Sequence, residues 1–277
     1  MRTELSSART LSRREAEVVG WLEAERRRSL TAAELRATLG WSDSVTWHVL
    51  SRLAHKGWLC RTARGRYETV LAETGGWNVP NPWAALSAWG QRYYVGFKSA
   101  AYEHQLTTDR PGSVQTCVSV GARKPLAWDG MPIVLIFLPK FQDEGVQVEK
   151  LHGFEVRIAS VEKTLVDAGA LPGRIGGLPG LARAVDRASD RANWERVVEL
   201  GTTSSRGKAG LRRIAALLEL LGHAVPRALA QAATAGPRAS PLFLGERRVY
   251  GAHGKRLPKW QVVVNVDPSV INEEVSR

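Results

Sequence analysis

The sequence predicts an α+β fold, with a small helical region first and a larger mixed region after it. Three observations favour this class. Helix-start signals and a glycine turn predict helices and a hairpin within residues 1–70. Apolar and alternating runs between residues 93 and 158 are typical of strands. Amphipathic patterns indicate helices over residues 160–233. Near the C-terminus, residues 241–245 and 260–266 are expected to pair as a hairpin.

Composition limits the classes of protein that the chain can represent. The chain has 277 residues, of which 44% are hydrophobic and 24% are charged, and this globular composition excludes a disordered chain. No apolar run is long enough to span a bilayer, the N-terminus lacks the apolar core of a signal peptide, and two cysteines are too few for a disulfide framework. A cytoplasmic protein with no membrane partner is therefore expected.

The net charge of +12 is concentrated in three stretches. Residues 1–70, 174–213 and 247–260 each carry a net charge of +5, so the rest of the chain carries −3. A genome-wide preference for arginine contributes, since 30 of the 39 basic residues are arginine, but it does not readily explain local excesses. Local basic excess favours a polyanionic partner such as nucleic acid.

The N-terminal region begins with three predicted helices. Two capping boxes place a hydroxyl residue three positions before a glutamate, namely Ser12 with Glu15 and Thr31 with Glu34. A turn at residues 40–43 then leads to a third helix over residues 44–56, which Gly57 is expected to end.

A basic hairpin is predicted after the third helix. Residues 58–62 and 66–70 alternate on either side of Ala63-Arg64-Gly65. Helix, helix, turn, helix and basic hairpin is the layout of a winged helix-turn-helix, in which the third helix enters the major groove and the hairpin contacts phosphates. The expected DNA-binding residues lie on the outward face of the third helix or near the turn: Ser44, Trp47, His48, Ser51, Arg52, Arg61, Arg64 and Arg66.

Other interpretations of this region stay open. A winged helix can serve protein contacts alone, Trp47 can pack against the first helix, and His48 can be an ordinary surface histidine.

The predicted domain boundary follows the hairpin. Residues 75–82 are rich in glycine and proline and break both periodicities, so the expected domains are residues 1–74 and residues 75–277. The second is expected to be a mixed α/β domain with a sheet and a helical layer. Its basic residues form either a solvated helical face or a second nucleic-acid surface, at Arg174, Arg183, Arg187, Arg206, Lys208, Arg212, Arg213, Arg247, Arg248, Lys255 and Arg256.

Enzyme motifs are absent from the sequence. It contains no phosphate loop, no strand-linked GxGxxG and no G-x-S-x-G, and its histidines lack ligand spacing, so no catalytic residue, metal or cofactor is assigned. The main alternative is a Mg²⁺-dependent nuclease or nucleotidyl-transfer enzyme that uses Asp129 or Asp143. A third class, a regulator that senses a small molecule, requires a ligand pocket in the larger domain.

Several short segments occur in a recognisable order and spacing. They are Leu50-Ser51-Arg52-Leu53, Lys56-Gly57, Arg64-Gly65-Arg66-Tyr67, the stretch from Tyr93 to Tyr102, the stretch from Val156 to Asp167 (compare "vas-E-(R/K)-T-l-v-D") and the stretch from Lys259 to Asn265 (compare "R-W-x-v-x-v-N"). Together they resemble AbiEi-type antitoxins, the regulator component of type IV toxin–antitoxin systems. The tryptophan in the third helix departs from the family pattern, so no base-reading residue is transferred.

The resemblance implies a transcriptional autorepressor with antitoxin activity in an abortive-infection system. Its winged helix would bind inverted repeats in double-stranded DNA at its own promoter, and its larger domain would counteract an AbiEii-like, nucleotidyltransferase-like toxin. The family requires no cofactor, and a stable complex with the toxin is not implied. The oligomeric state is left open, with cooperative binding by monomers as one option.

Overall fold

The computed structural model describes residues 11–25, 27, 29–69, 81–122, 132–204, 206–235, 241–267 and 269–271. The chain divides into two compact units. The first comprises Met1–Gln91, Ala122–Ile133 and Lys150–Glu155, and the second comprises Arg92–Gly121, Val134–Glu149 and Val156–Arg277. The boundary expected between residues 74 and 75 lies outside the described residues. The architecture is α+β, as predicted.

The first unit alternates short helices and strands. Its elements are α1 (Arg13–Ala24), β1 (Ser29–Thr31), α2 (Ala32–Leu39), α3 (Asp43–His55), β2 (Leu59–Ala63), β3 (Arg66–Thr69) and α4 (Pro82–Ser87). The strands form an antiparallel sheet in the order β1-β3-β2. The sequence predicted the first three helices and the hairpin, but it did not reveal β1, because three residues are too few to show an alternating pattern.

Both predicted capping boxes are formed. The backbone N–H of Ser12 donates to Glu15 at 2.6 Å, and that of Thr31 donates to Glu34 at 2.7 Å. In return, the N–H of Glu34 donates to the hydroxyl of Thr31 at 3.1 Å. Helix α2 ends at Gly40, whose φ of +66° lies in the left-handed region that glycine adopts without strain. These local signals explain why the helices begin and end close to the predicted positions.

The core of the first unit is aliphatic. Leu35, Leu50 and Leu53 are fully buried, one from α2 and two from α3. They pack with other buried side chains of this unit, namely Val18, Leu22, Leu30, Val49, Leu59 and Tyr67. Burying each large apolar side chain contributes about 1.5–3 kcal/mol, so this cluster fixes α3 against the rest of the unit.

A five-stranded sheet occupies most of residues 93–159. Its elements are β4 (Tyr93–Val95), α5 (Phe97–Glu103), β5 (Val114–Ser119), β6 (Ile133–Leu138), β7 (Val146–Leu151) and β8 (Phe154–Ala159). The strand order is β6-β5-β4-β8-β7, with β4 antiparallel to β5 and parallel to β8. The central position of β4 agrees with the burial of all three of its residues.

The chain that follows the sheet is mainly helical up to residue 234. It contains α6 (Val161–Ala170), a 3-10 helix (Pro172–Ile175), α7 (Gly177–Ala188), α8 (Trp194–Thr203), α9 (Gly207–Leu220) and α10 (Arg227–Thr234). Helices α6 and α9 meet at two glycines, and a β-carbon added to Gly169 would lie 3.0 Å from the Cα of Gly210. Among the described residues, no helix is both long enough and apolar enough to cross a membrane.

The C-terminal pairing corrects the sequence prediction. The last elements are β9 (Leu242–Phe243), α11 (Arg247–Tyr250), β10 (Lys255–Leu257) and β11 (Val262–Val264). Strand β11 does pair with β9, but in parallel, so these two strands are not the predicted hairpin. The antiparallel neighbour of β11 is β10. The intervening chain is long enough to return β11 in the parallel direction, and the sequence pattern does not reveal that direction.

Candidate nucleic-acid interface

Helix α3 presents one buried face and one exposed face. Leu50, Leu53 and Thr46 are buried, and the Thr46 hydroxyl donates to the carbonyl of Ser42 at 2.9 Å. Ser42 caps the helix, which begins at Asp43, one residue before the predicted start. All five residues predicted to point outward are exposed: Ser44, Trp47, His48, Ser51 and Arg52. The helical period of 3.6 residues therefore assigned both faces correctly.

The hairpin turn lies beside the exposed face of α3. A β-carbon added to Gly65 would lie 3.5 Å from Cη2 of Trp47, whose side chain is 39% exposed. The carbonyl of Gly65 also accepts from the backbone N–H of Ala32 at 2.7 Å, which ties the turn to the start of α2. Trp47 thus lies close to the turn that carries Arg64 and continues into Arg66. The turn therefore brings basic side chains near the exposed face of α3.

The arginines of the hairpin are exposed cations. Arg61 lies on β2, Arg64 in the turn and Arg66 at the start of β3. Within the described part of the chain, none of the three forms an ion pair with a carboxylate. Unpaired, solvated arginines can each neutralise one phosphate and release its counterions. All three lie on the hairpin, as the sequence predicts, and their contact with phosphates stays a prediction.

Arg52 has a structural role that helix phase did not reveal. Its Nε lies 2.9 Å from Oε1 of Glu15, and Nζ of Lys56 lies 2.7 Å from the other carboxylate oxygen. The Glu15 side chain is completely buried. Burial opposes its ionisation, but the hydrogen bonds from Lys56 and from the backbone N–H of Ser12 prevail and lower the pKa of Glu15 to about 2. Arg52 therefore fastens α3 to α1, although half of its side chain remains exposed.

The proposed second basic surface is only partly exposed. Arg183 is mostly buried and donates to Asp109 at 2.8 Å, so its charge is already paired within the second unit. The exposed members of the predicted set are Arg174, Arg187, Arg206, Lys208, Arg247, Arg248, Lys255 and Arg256.

Two further members of that set face the interior, which corrects the prediction. Arg212 is 9% exposed, and its Nε donates to the carbonyl of Trp260 at 2.8 Å. Arg213 donates to the carbonyl of Gly169 at 2.8 Å. Burial lowers the pKa of both arginines from the ordinary value. Their guanidinium groups satisfy backbone carbonyls that would otherwise be buried without a donor, so neither belongs to a surface for nucleic acid.

The structure describes only one of the two carboxylates of the nuclease alternative. Asp129 lies outside the described residues. Asp143 accepts hydrogen bonds from Arg92 at 3.0 Å and from Arg157 at 2.9 Å. Among the residues that the structure describes, no three His, Cys, Asp or Glu side chains converge as metal ligands.

A buried polar cluster in the second unit was missed from the sequence. It consists of Tyr94 on β4 and of Lys163 and Asp167 on α6. The sequence signal for it is the spacing of Lys163 and Asp167, because residues four apart share one helix face.

Comparison with known proteins identifies a chain of similar fold and gives no information on function. The two units form an α+β chain with exposed cations on its first hairpin. The Rv2827c protein from Mycobacterium tuberculosis has a similar fold, with a TM-score of 0.71 and 16% sequence identity over 100% of this chain and 99% of that one. No family model matches the chain, and no curated protein matches it. At this level of identity the likeness extends to the fold alone.

Proposed function

We propose that the protein is a cytoplasmic transcriptional repressor whose first unit is a winged helix-turn-helix that binds double-stranded DNA. The observation that carries the proposal is the closeness of Trp47 of α3 to the hairpin turn, where a β-carbon added to Gly65 would lie 3.5 Å from the indole ring. An exposed helix face and the exposed, unpaired arginines Arg64 and Arg66 therefore lie near each other.

The dimensions and chemistry of this surface suit a duplex. Helix α3 has 13 residues and is about 20 Å long, and a helix of this kind fits the major groove. Ser44, His48 and Ser51 offer polar groups to base edges, while the hairpin arginines reach the flanking phosphates. Phosphate contacts give affinity and register, and base contacts give sequence preference.

The antitoxin role rests on the sequence resemblance. In this proposal, the first unit binds inverted repeats in the promoter of its own operon, and the second unit counteracts a nucleotidyltransferase-like toxin encoded beside it. A stable complex with the toxin is not required. Growth of cells that express the neighbouring reading frame, with and without this protein, tests the role directly. If the protein does not relieve the growth arrest, the antitoxin part fails while DNA binding can stand.

Fluorescence anisotropy tests the DNA-binding part. The full-length protein is titrated with its own upstream region and with a shuffled duplex of equal length and composition. Specific sites are commonly bound at least about 10³-fold more tightly than random DNA at physiological salt, and we expect a preference of this kind. Affinity for both duplexes should also fall as salt rises, because counterions are released on binding. Equal affinity for the two duplexes at every salt concentration would refute sequence-specific repression.

A further inference from the structure

The second unit contains a cavity to which neither the sequence motifs nor the proposed function assigns a ligand. Its volume is 430 Å³, and its walls come from β4, β6, α6, the 3-10 helix and the connection between α8 and α9. Cavities of about 300–1,000 Å³ that combine apolar walls with a few polar groups are typical of small-molecule sites. The size therefore suits a ligand about as large as a nucleotide.

One part of the cavity lining is a polar cluster whose positive and negative charges offset each other. The Tyr94 hydroxyl donates to Asp167 at 2.8 Å, and Nζ of Lys163 lies 3.2 Å from Asp167 and 4.7 Å from the centre of the Tyr94 ring. Burial raises the pKa of Asp167, whereas Lys163 and Tyr94 oppose that rise. Burial also raises the pKa of the Tyr94 hydroxyl, which therefore stays protonated and keeps donating to Asp167. The negative and positive charges of this cluster balance each other.

Three further cationic side chains line the cavity, and their positive charges are not neutralised by any neighbouring carboxylate that the structure describes. Lys140, Arg174 and Arg206 are exposed, and none has a carboxylate partner among the described residues. The backbone of Arg174 is held in place, because the Gln115 side chain donates to its carbonyl at 3.0 Å. An anion placed among three like charges around one concavity is attracted to all of them. Arginine in particular offers paired donors that match the oxygens of a phosphate.

The remaining wall is apolar and includes a strained residue. Phe97, Ile136, Phe137, Leu138 and Leu171 contribute apolar surface. Phe97 has a φ of +50°, a left-handed conformation that bulky residues rarely adopt, and its side chain is buried. Strained backbone of this kind persists where the surrounding structure holds it, and it is concentrated at functional sites. The cavity thus offers a cationic part and an apolar, partly aromatic part.

We propose that this cavity binds a nucleoside phosphate. The phosphate lies among Lys140, Arg174 and Arg206, and the base lies against the exposed part of the apolar wall, at Phe137. The same chemical group occurs in free nucleotides and at the 5′-phosphorylated end of a nucleic-acid strand. The site belongs to the second unit and is independent of the DNA-binding surface of the first.

Isothermal titration calorimetry on the full-length protein tests the proposal. The probes are AMP and GMP, the corresponding nucleosides, and inorganic phosphate, all at low salt. We expect at least one of the two nucleotides to bind with one molecule per chain and about tenfold or more tightly than its nucleoside or phosphate alone. Absence of binding by both nucleotides, or binding of phosphate as tightly as the nucleotides, would overturn the proposal. Competition by 5′-phosphorylated but not by unphosphorylated short oligonucleotides would identify a strand end as an accepted source of the group.

Matched variants show whether the cavity is the site. Arg174→Ala removes a cation of the cavity and should weaken nucleotide binding about tenfold or more. Arg227→Ala removes an exposed arginine of α10, outside the cavity, and should leave binding unchanged. Equal weakening by both variants would show a general effect of charge and overturn the assignment. Ala170→Phe fills the cavity without changing any charge and should also abolish binding; normal affinity in this variant, folded by circular dichroism, would contradict the site.

Discussion

The two units both carry exposed cations, but the surface around those cations differs. In the first unit, Arg61, Arg64 and Arg66 lie on an exposed hairpin beside a helix face. In the second unit, three cations line a concave cavity with apolar walls. A row of charges on an open surface can meet several phosphates of a long polyanion, whereas a concavity can enclose only a small one. Basic stretches of equal net charge in a sequence can therefore serve different partners, and the backbone shape distinguishes them.

The largest expected effect comes from removing the buried ion pairs that connect α1 to α3 in the first unit. Glu15→Gln removes the buried charge that holds Arg52 and Lys56. Because the pKa of Glu15 falls from 4.5 to about 2 on folding, its ionised form contributes about 3 kcal/mol at neutral pH. That contribution is complete above pH 4.5 and is lost as the pH falls towards 2, the direction expected for a lowered carboxyl pKa.

Urea unfolding between pH 7 and pH 2.5 measures this effect. The wild-type protein should lose stability steeply below about pH 5, and Glu15→Gln should start lower and change less. Glu23→Gln alters an exposed glutamate of the same helix and should follow the wild type. Parallel pH profiles for wild type and Glu15→Gln would show that the buried ion pairs do not stabilise α1 and α3.

The next largest effect is a loss of DNA affinity that should leave nucleotide binding by the second unit unchanged. The double variant Arg64→Ala with Arg66→Ala should lower affinity for every duplex about hundredfold at about 0.1 M salt and reduce the salt slope by about 1.8, since each lost phosphate contact contributes about 0.9. The control, Arg13→Ala with Arg14→Ala, removes two exposed arginines of α1. Anisotropy with matched and shuffled duplexes measures both. An unchanged slope in the hairpin variant would show that the turn does not contact phosphates, and nucleotide binding should be normal in either variant.

The smallest effect concerns the geometry of the turn. Gly65 has a φ of +74°, so Gly65→Ala should destabilise the first unit by about 1 kcal/mol through backbone strain. The added methyl group would make only ordinary contact with Trp47 at 3.5 Å, so DNA affinity should fall only a fewfold. Gly20→Ala is the control, because Gly20 lies inside α1 with open space around it and should gain stability. Thermal unfolding compares them, and equal stability of the two variants would indicate that the turn is not strained.

Local features of the fold were predictable from the sequence, and long-range pairings were not. Helix ends depend on interactions within one helical turn. The residue types of the capping boxes at Ser12 and Thr31, and of the glycine at position 40, therefore locate those ends without knowledge of the fold. Strand β1 is visible only through its pairing with β3, and the parallel direction of β9 depends on the path of the intervening chain.

The same distinction holds for the candidate sites. Exposure along α3 followed from helical period, but Arg52 meets Glu15 across 37 positions of sequence, a contact that no periodicity encodes. Arg212 was expected outside because arginine is seldom buried, yet the carbonyl of Trp260 gives it an interior partner. The cavity cluster joins Tyr94 to Asp167 across 73 positions, so only the fold could bring the two together.

The glycine contact between α6 and α9 bears on how this protein can change over evolutionary time. Gly169 and Gly210 allow the two helices to touch through their backbones, so the spacing between them is set by the peptide chain rather than by the size of neighbouring side chains. Volume-conserving exchanges among apolar residues elsewhere in the helical layer should leave this spacing unchanged. Divergent relatives could therefore share little sequence and still hold Lys163 and Asp167 in the same position, provided that both glycines are retained.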